Sequence, residues 1–243
     1  MVLVVLYSTT WRRWDETCPS QVEVIDKVAA GQDVIMGIHY WSEMMQTFHI
    51  NSYGKAPSEP PAPLLKWPYR HTVTSQDRSF IERIARNIRY RHAWGTAYIL
   101  ESTRMALENA ESLWRERYGT DMPDDQPILR MRPDTILTDV DAFPEMPQGD
   151  DFYVSNWDRG NRPTWNPAAP EVGDIICLTT KKALRKLVNI KLEDIEARCS
   201  HRQVLFTEQY LWALLESNGT VINNDKNVHV SIMRPTGNIL KLS

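Results

Sequence analysis

The sequence predicts an α/β fold, a central, mostly parallel sheet flanked by helices, and three observations carry that prediction. Val2-Leu3-Val4-Val5-Leu6-Tyr7 and Asp33-Val34-Ile35-Met36-Gly37-Ile38-His39-Tyr40-Trp41 are nearly unbroken apolar, β-rich runs. Strands buried on both faces, as in parallel sheets, read this way. A helix from about Glu16 to Val28 separates them, completing a β-α-β unit. The third observation is Pro127-Ile128-Leu129-Arg130-Met131-Arg132, a strand that stops at Pro133-Asp134. In open α/β sheets ligands bind outside the carboxyl ends of the strands.

The remaining elements follow in order. Prolines crowd Asn51–Arg70 (Pro57, Pro60, Pro61, Pro63, Pro68), which predicts a loop or flap rather than a helix. Ser79 to Arg117 carries apolar residues at helical spacing, with a break expected at Gly95, a C-cap at Gly119 and a stop at Pro123. Asp151–Val154 and Val172–Leu178 read as further strands, separated by a Gly/Asn/Pro-rich loop from Trp157 to Pro170. A helix with Lys181, Lys182, Arg185 and Lys186 follows, then a helix from Thr207 to Ser217 stopped at Asn218-Gly219. Val228–Met233 reads as the last strand, ending at Arg234-Pro235. No internal repeat or long linker divides the chain, so residues 1–243 are expected to form one domain, with the proline-rich segment 51–70 as its flap.

Composition bounds the function. The chain has 243 residues, 42% apolar and 24% charged, enough to bury a core. A formal net charge of −3 argues against a general nucleic-acid coat, which needs a basic surface, but leaves room for a local basic cleft. The three cysteines Cys18, Cys177 and Cys199 have no metal-ligand spacing and read as free thiols in a reducing cytoplasm. The apolar start Met1–Tyr7 is too short for a signal peptide or a membrane span, so a cytoplasmic protein is expected. H-x-x-H, H-E-x-x-H, G-x-S-x-G, P-loop and G-x-G-x-x-G patterns are all absent.

The chemistry-bearing residues cluster around strand ends. Arg130 and Arg132, at i and i+2, lie on one face of a strand. Two cations there suit anionic oxygens, and Asp134 at the strand's end can take a metal or a sugar hydroxyl. A salt-bridge ladder on an edge strand is the alternative. Trp11-Arg12-Arg13-Trp14 follows the first strand, where Trp can stack a base and Arg can reach a phosphate; a solvated loop with packing tryptophans is the alternative. Asp139-Val140-Asp141 can hold a hard cation if the chain turns there. Asp174 opens a strand after a Gly/Pro loop, and Glu208 sits in the first turn of a helix behind Thr207; caps are the simple alternatives for both. The basic run from Lys181 to Lys191 reads as a solvated face or as a patch for an anionic acceptor.

Taken in order, these segments resemble a diffuse group of GT-A-like glycosyltransferases from viruses, phages and bacterial polysaccharide loci. The segments are the Arg-bearing first loop, the strand ending in Trp41, the long helical stretch, Ile128-Leu129-Arg130-Met131-Arg132-Pro133-Asp134, Gly173-Asp174-Ile175-Ile176, Thr207-Glu208-Gln209-Tyr210-Leu211 and Arg234-Pro235. The resemblance implies a GT-A-like fold, a nucleoside-diphosphate sugar donor (for example a UDP-sugar) and often Mn²⁺ or Mg²⁺. It implies Arg12 or Arg13 near the nucleotide or diphosphate, and Arg132 and Asp134 at the donor; Trp11 and Arg130 join them on the reading of the residues given above. The metal would rest on Asp134, or on Asp139 and Asp141 in its place, and one of Asp174 and Glu208 would be the general base. The acceptor would be a saccharide or a hydroxylated base in viral or phage DNA. A non-catalytic nucleotide-, anion- or nucleic-acid-binding module is the competing class. The proline-rich segment and the Trp157–Pro170 loop have no counterpart in that family pattern.

Overall fold

The computed structural model describes residues 2–9, 11, 14–42, 57–74, 78–89, 91–137, 146–154, 176–199, 207–223, 230–233 and 239–242. The chain opens with β1 (Val2–Thr9), α1 (Trp14–Ala29) and β2 (Asp33–Trp41), followed by a 3-10 turn (Ala62–Lys66) and β3 (Tyr69–Thr74). Two helices come next, α2 (Arg78–Asn87) and α3 (Arg91–Tyr118), then β4 (Pro127–Met131), β5 (Thr135–Leu137), β6 (Asp151–Val154) and β7 (Ile176–Thr180). The last part holds α4 (Lys181–Val188), α5 (Leu192–Cys199), α6 (Thr207–Ser217), β8 (Val221–Asn223), β9 (Val230–Met233) and β10 (Ile239–Leu242).

The main sheet has seven strands in the order β3-β2-β1-β4-β7-β6-β8. Pairing is parallel from β3 through β2 and β1 to β4, and again between β6 and β8. β7 runs antiparallel to both its neighbours. The expected mostly parallel sheet flanked by helices is thus present. A smaller antiparallel sheet joins β10, β9 and β5.

The central strands explain their own composition. Leu3, Val5 and Tyr7 of β1 pack with α1 on one face, and Val4 and Leu6 pack with α3 on the other. All five are fully buried, so no polar residue is tolerated until Ser8. Each such side chain contributes about 1.5–3 kcal/mol of burial free energy. Helix α1 lays Trp14, Cys18, Val24, Ile25 and Val28 on this sheet, and α3 lays Ala106, Ala110 and Leu113 on the opposite face.

Four expectations are corrected. Residues 57–70 are not loop throughout: Leu64 of the 3-10 turn is fully buried with the α1-side core, Lys66 bonds Asp26, and the edge strand β3 starts at Tyr69. Positions 51–56 of the flap lie outside the described residues. The helical region breaks at residues 88–89, where Trp94 Nε1 donates to the Ile88 carbonyl at 2.9 Å, and not at Gly95. Gly95 lies inside α3 because a Cβ there would sit 2.6 Å from Thr207 Oγ1, so the glycine admits α6. The strand near Met233 is not the last, since β10 follows and pairs back onto it. The expected Val172–Leu178 strand is observed as Ile176–Thr180, with 172–175 outside the described residues. Gly119 does end its helix at a left-handed φ of 69°, as a C-cap requires. No helix among the described residues is long and apolar enough to cross a membrane.

Candidate functional site

Strand order reverses between β1 and β4. The chain leaves β1 to build β2 and β3 on one side, and returns through α3 to place β4 on the other. The carboxyl ends of β1 and β4 therefore border the crevice where open α/β sheets bind ligands. In register, Leu6 faces Arg130 and Tyr7 faces Met131, so β1 ends with Ser8 and Thr9 beside the Arg130–Asp134 segment.

Arg130 is 4% exposed, and its Nε donates to Ser8 Oγ at 2.9 Å. Ser8 Oγ in turn lies 3.1 Å from Thr103 Oγ1 on α3. Across the sheet Arg130 pairs with Cys177 of β7. Burial pushes the Cys177 thiol up to about 11, against the opposing pull of the Arg130 charge, so it stays a neutral thiol at physiological pH. β4 lies inside the sheet, between β1 and β7, so these arginines do not form a ladder on an edge strand.

Arg132 and Asp134 form a two-pronged pair. Nε and Nη2 each donate at 3.0 Å, to Oδ1 and Oδ2 respectively. Asp134 is 0% exposed, and the Arg132 side chain 15%. Helix α1 holds the turn that brings them together. Gln21 Nε2 donates to the carbonyls of Arg132, Pro133 and Thr135 at 3.2, 3.0 and 2.8 Å, and the Thr17 hydroxyl meets the Pro133 carbonyl. Trp14 Nε1 fixes Gln21 by donating to its Oε1 at 3.1 Å. Thr17 and Gln21 escaped the sequence reading. The available signal was two polar residues inside the apolar stripe of α1, which bury only when backbone carbonyls elsewhere need donors.

The end of β1 is fixed from α3. Among the described residues Thr9 is one of two non-glycine residues at positive φ, 82°. Its N–H donates to Ser102 Oγ at 2.7 Å. Ser102 Oγ also lies 2.8 Å from His39 Nδ1 and donates to the His39 carbonyl at 3.2 Å, while His39 Nε2 lies 3.1 Å from Thr74 Oγ1. Beyond Thr9, Trp11 Nε1 donates to the Trp41 carbonyl at 3.0 Å. Trp14 is core, with ring centroids 4.9 Å from Tyr7 and 6.1 Å from Tyr40. Of the tryptophans in the Trp11–Trp14 segment, only Trp11 is partly exposed for a base. Arg12 and Arg13 lie outside the described residues.

His39 is 0% exposed, and burial lowers its pKa to about 4; the Glu101 charge opposes this shift and Arg104 adds to it. Glu101 and Arg104 bond each other and line an open groove of about 400 Å³ shared with α2 and the α4–α5 junction. The unfolded histidine titrates near 6.5, so between pH 6.5 and 4 the unfolded chain binds the proton that the folded chain refuses. The neutral-His contribution to stability is therefore full above pH 6.5 and is lost as pH falls toward 4, by about 3 kcal/mol in all. His39→Gln should remove that portion of the acid dependence. Urea melts of both proteins between pH 7 and 4 measure it, and parallel curves would show that His39 is not its source.

Asp174, Asp139 and Asp141 lie outside the described residues, as does the side chain of Glu208. The helix carrying Glu208 is placed, however. α6 starts against α3, where Thr96 Oγ1 donates to the Thr207 carbonyl at 3.5 Å. Thr96 precedes Ser102 by six residues on α3, about 9 Å along the axis. Because α3 descends toward the amino end of β4, that offset sets the start of α6 on the carboxyl side of the sheet.

One further expectation changes. Asp134 keeps a second lone pair on each oxygen beyond its bonds from Arg132, so an ion held there would share the carboxylate with the guanidinium. Among the described residues no three His, Cys, Asp or Glu side chains come together to hold a metal. The basic helix α4 is not a patch beside this site. It begins at the opposite end of the strands, at the amino end of β4, where Thr180 pairs with Pro127. Its cations face carboxylates: Lys181 meets Asp124 at 3.0 Å, Lys182 and Lys186 meet Asp150 at 3.4 and 2.9 Å, and Arg185 meets Glu111. Lys186 and Lys182 hold the Asp150 carboxyl below its usual range, so this acid is paired as well as solvated.

No protein-family model and no curated protein matches the chain. Among solved structures it is similar to the galactosyltransferase LgtC in complex with donor and acceptor sugar analogs, with a TM-score of 0.43 and 11% identity over 91% of this chain and 73% of that one. It is similar also to an active-site mutant of LgtC, with a TM-score of 0.42 and 9% identity over 91% and 72% of the two chains. Likeness at this level carries no argument about the site.

Proposed function

We propose that the chain is a GT-A-like glycosyltransferase that moves a sugar from a nucleoside-diphosphate sugar to an acceptor hydroxyl. The observation that carries this reading is the placement of buried Arg130 and the Arg132–Asp134 pair at the crevice between β1 and β4. Glycosyl transfer releases a diphosphate, and guanidinium groups held in a dry cleft stabilise the charge as the glycosidic bond breaks. Asp134 acts on this reading by orienting Arg132. Trp11 would stack the base, with Arg12 and Arg13 near the phosphates. In an inverting displacement, Asp174 or Glu208 would take the acceptor's proton from the side opposite the departing diphosphate.

A divalent ion, Mn²⁺ or Mg²⁺, would neutralise the leaving group where Asp139 and Asp141 supply its ligands. The acceptor would be a saccharide. A DNA base is disfavoured by the pairing of the α4 cations with Asp124, Asp150 and Glu111. Work in the cytoplasm is the matching expectation. The commitment of Asp134 to Arg132 favours one second reading, a nucleotide-binding module that does no chemistry.

A panel of UDP- and GDP-sugars with and without Mn²⁺ separates these. At a ligand concentration near 100 Kd, binding adds about 2.7 kcal/mol, or roughly 5–10 °C in Tm for a chain of this size. Slow hydrolysis of the stabilising donor is expected, and its loss in Asp174→Ala or Glu208→Ala identifies the base. Stabilisation without hydrolysis supports the module, and a flat Tm across the panel removes both readings.

A further inference from the structure

We infer that Ser102, backed by His39, is a positioning residue that holds the end of β1 in a left-handed turn and so presets the loop leading to Trp11. Thr9 at φ 82° is strained for a residue with a Cβ, and a strained residue persists only where its surroundings determine it. The determinant here is one hydroxyl. Ser102 Oγ accepts the Thr9 N–H at 2.7 Å, and the His39 ring at 2.8 Å and the His39 carbonyl at 3.2 Å fix the hydroxyl in turn. Thr74 Oγ1 at 3.1 Å holds the far side of the ring, and Trp41 packs edge-on against it with centroids 5.0 Å apart.

The next residue of α3 does the parallel job. Thr103 Oγ1 meets Ser8 Oγ at 3.1 Å, and Ser8 accepts from Arg130. Two successive hydroxyls on one helix therefore set two successive residues of β1, one leading to the loop and the other to the buried guanidinium. Ser8, Ser102, Thr103 and His39 are all buried, in a layer where polar groups persist only with partners. The chain keeps four polar residues where apolar ones would pack, and all four converge on the end of β1.

The ligand part of this inference rests on the donor reading above; the turn itself does not. The test measures amide exchange at Thr9 and UDP affinity in the wild-type chain, Ser102→Ala and Ser102→Thr. In Ser102→Ala the Thr9 amide should exchange at least tenfold faster, while Val5 and Met36 in the core keep their protection. UDP affinity should fall about tenfold. Ser102→Thr, which keeps the hydroxyl, should restore both. His39→Gln, which keeps polar contacts to Ser102 and Thr74, should fall between them and serves as the second probe if the alanine variant does not fold. Unchanged exchange at Thr9, or exchange that rises equally throughout the core, overturns the positioning role. Faster Thr9 exchange with unchanged UDP affinity overturns its link to the ligand. If wild-type chain binds no UDP or other nucleotide, the donor reading fails, and the exchange at Thr9 still decides whether Ser102 sets the turn.

Discussion

Replacing Arg132 with alanine is expected to destabilise the chain by about 3–5 kcal/mol, or roughly 6–20 °C in Tm. The cost comes from what the substitution leaves behind. Asp134 is 0% exposed, and both of its oxygens accept from Arg132 at 3.0 Å. Removing the guanidinium takes two charge-assisted hydrogen bonds from a fully buried carboxylate, and truncating one partner of a buried pair costs far more than the pair contributes. The corollary is sharper than the loss itself. Asp134→Asn combined with Arg132→Met should recover most of the stability, because it removes both charges and keeps the bulk. Under the proposed function the recovered double variant still fails to bind a nucleotide sugar, since the cation is gone. Thermal melts of the two single variants and the double variant, with and without UDP, form the cycle. A single-variant loss below about 1 kcal/mol would mean that the pair behaves like an exposed ion pair and that its burial is misjudged.

How much of this was legible in the sequence depends on which force fixed each part. β2 and α6 run from Asp33 to Trp41 and from Thr207 to Ser217, as their apolar content and stop signals require. Desolvation fixes such elements, and each residue carries that information itself. β3 was lost because Arg70, His71 and Thr72 sit on an edge strand only partly covered, so no apolar face marks them among the prolines. Gly95 was misread because a glycine that ends a helix and one that admits a second helix look alike in one dimension. The arginine spacing and Asp134 were legible, but their mutual pairing was not, because spacing says which face a side chain occupies and not what it meets there. The residues that set the site, Gln21, Ser102, Thr103 and His39, were illegible for a deeper reason. Apart from Trp14 beside Gln21, their partners lie 35 to 114 residues away in sequence, and a buried polar residue reads as a flaw in a hydrophobic pattern until those partners are known.

Gly37→Ala should be the most damaging single-methyl change in the sheet. A Cβ at Gly37 would stand 2.0 Å from the carbonyl oxygen of Ala106 and 2.8 Å from both N and Cβ of Ala110. Two of these three atoms are helix backbone, so no rotamer change relieves the overlap and α3 itself must move off β2. Added core bulk costs about 1–3 kcal/mol where side chains can adjust, and a rigid backbone places this site at or above the top of that range, about 3 kcal/mol or more. Relief should be poor even when space is made deliberately. Ala110→Gly removes the Cβ contact and leaves the carbonyl of Ala106 in place, so the double variant should regain only a small part of the loss. The effect should also reach the site. Ser102 lies one turn of α3 from Ala106, about 6 Å along the axis, and its 2.7 Å bond to Thr9 cannot survive an outward shift of the helix. Gly37→Ala should therefore speed exchange of the Thr9 amide and weaken UDP binding together, although residue 37 touches neither. A Tm within about 2 °C of wild type would show that α3 has room to spare over β2. Normal Thr9 exchange in a destabilised variant would instead show that the end of β1 is set without the seat of α3 on Gly37.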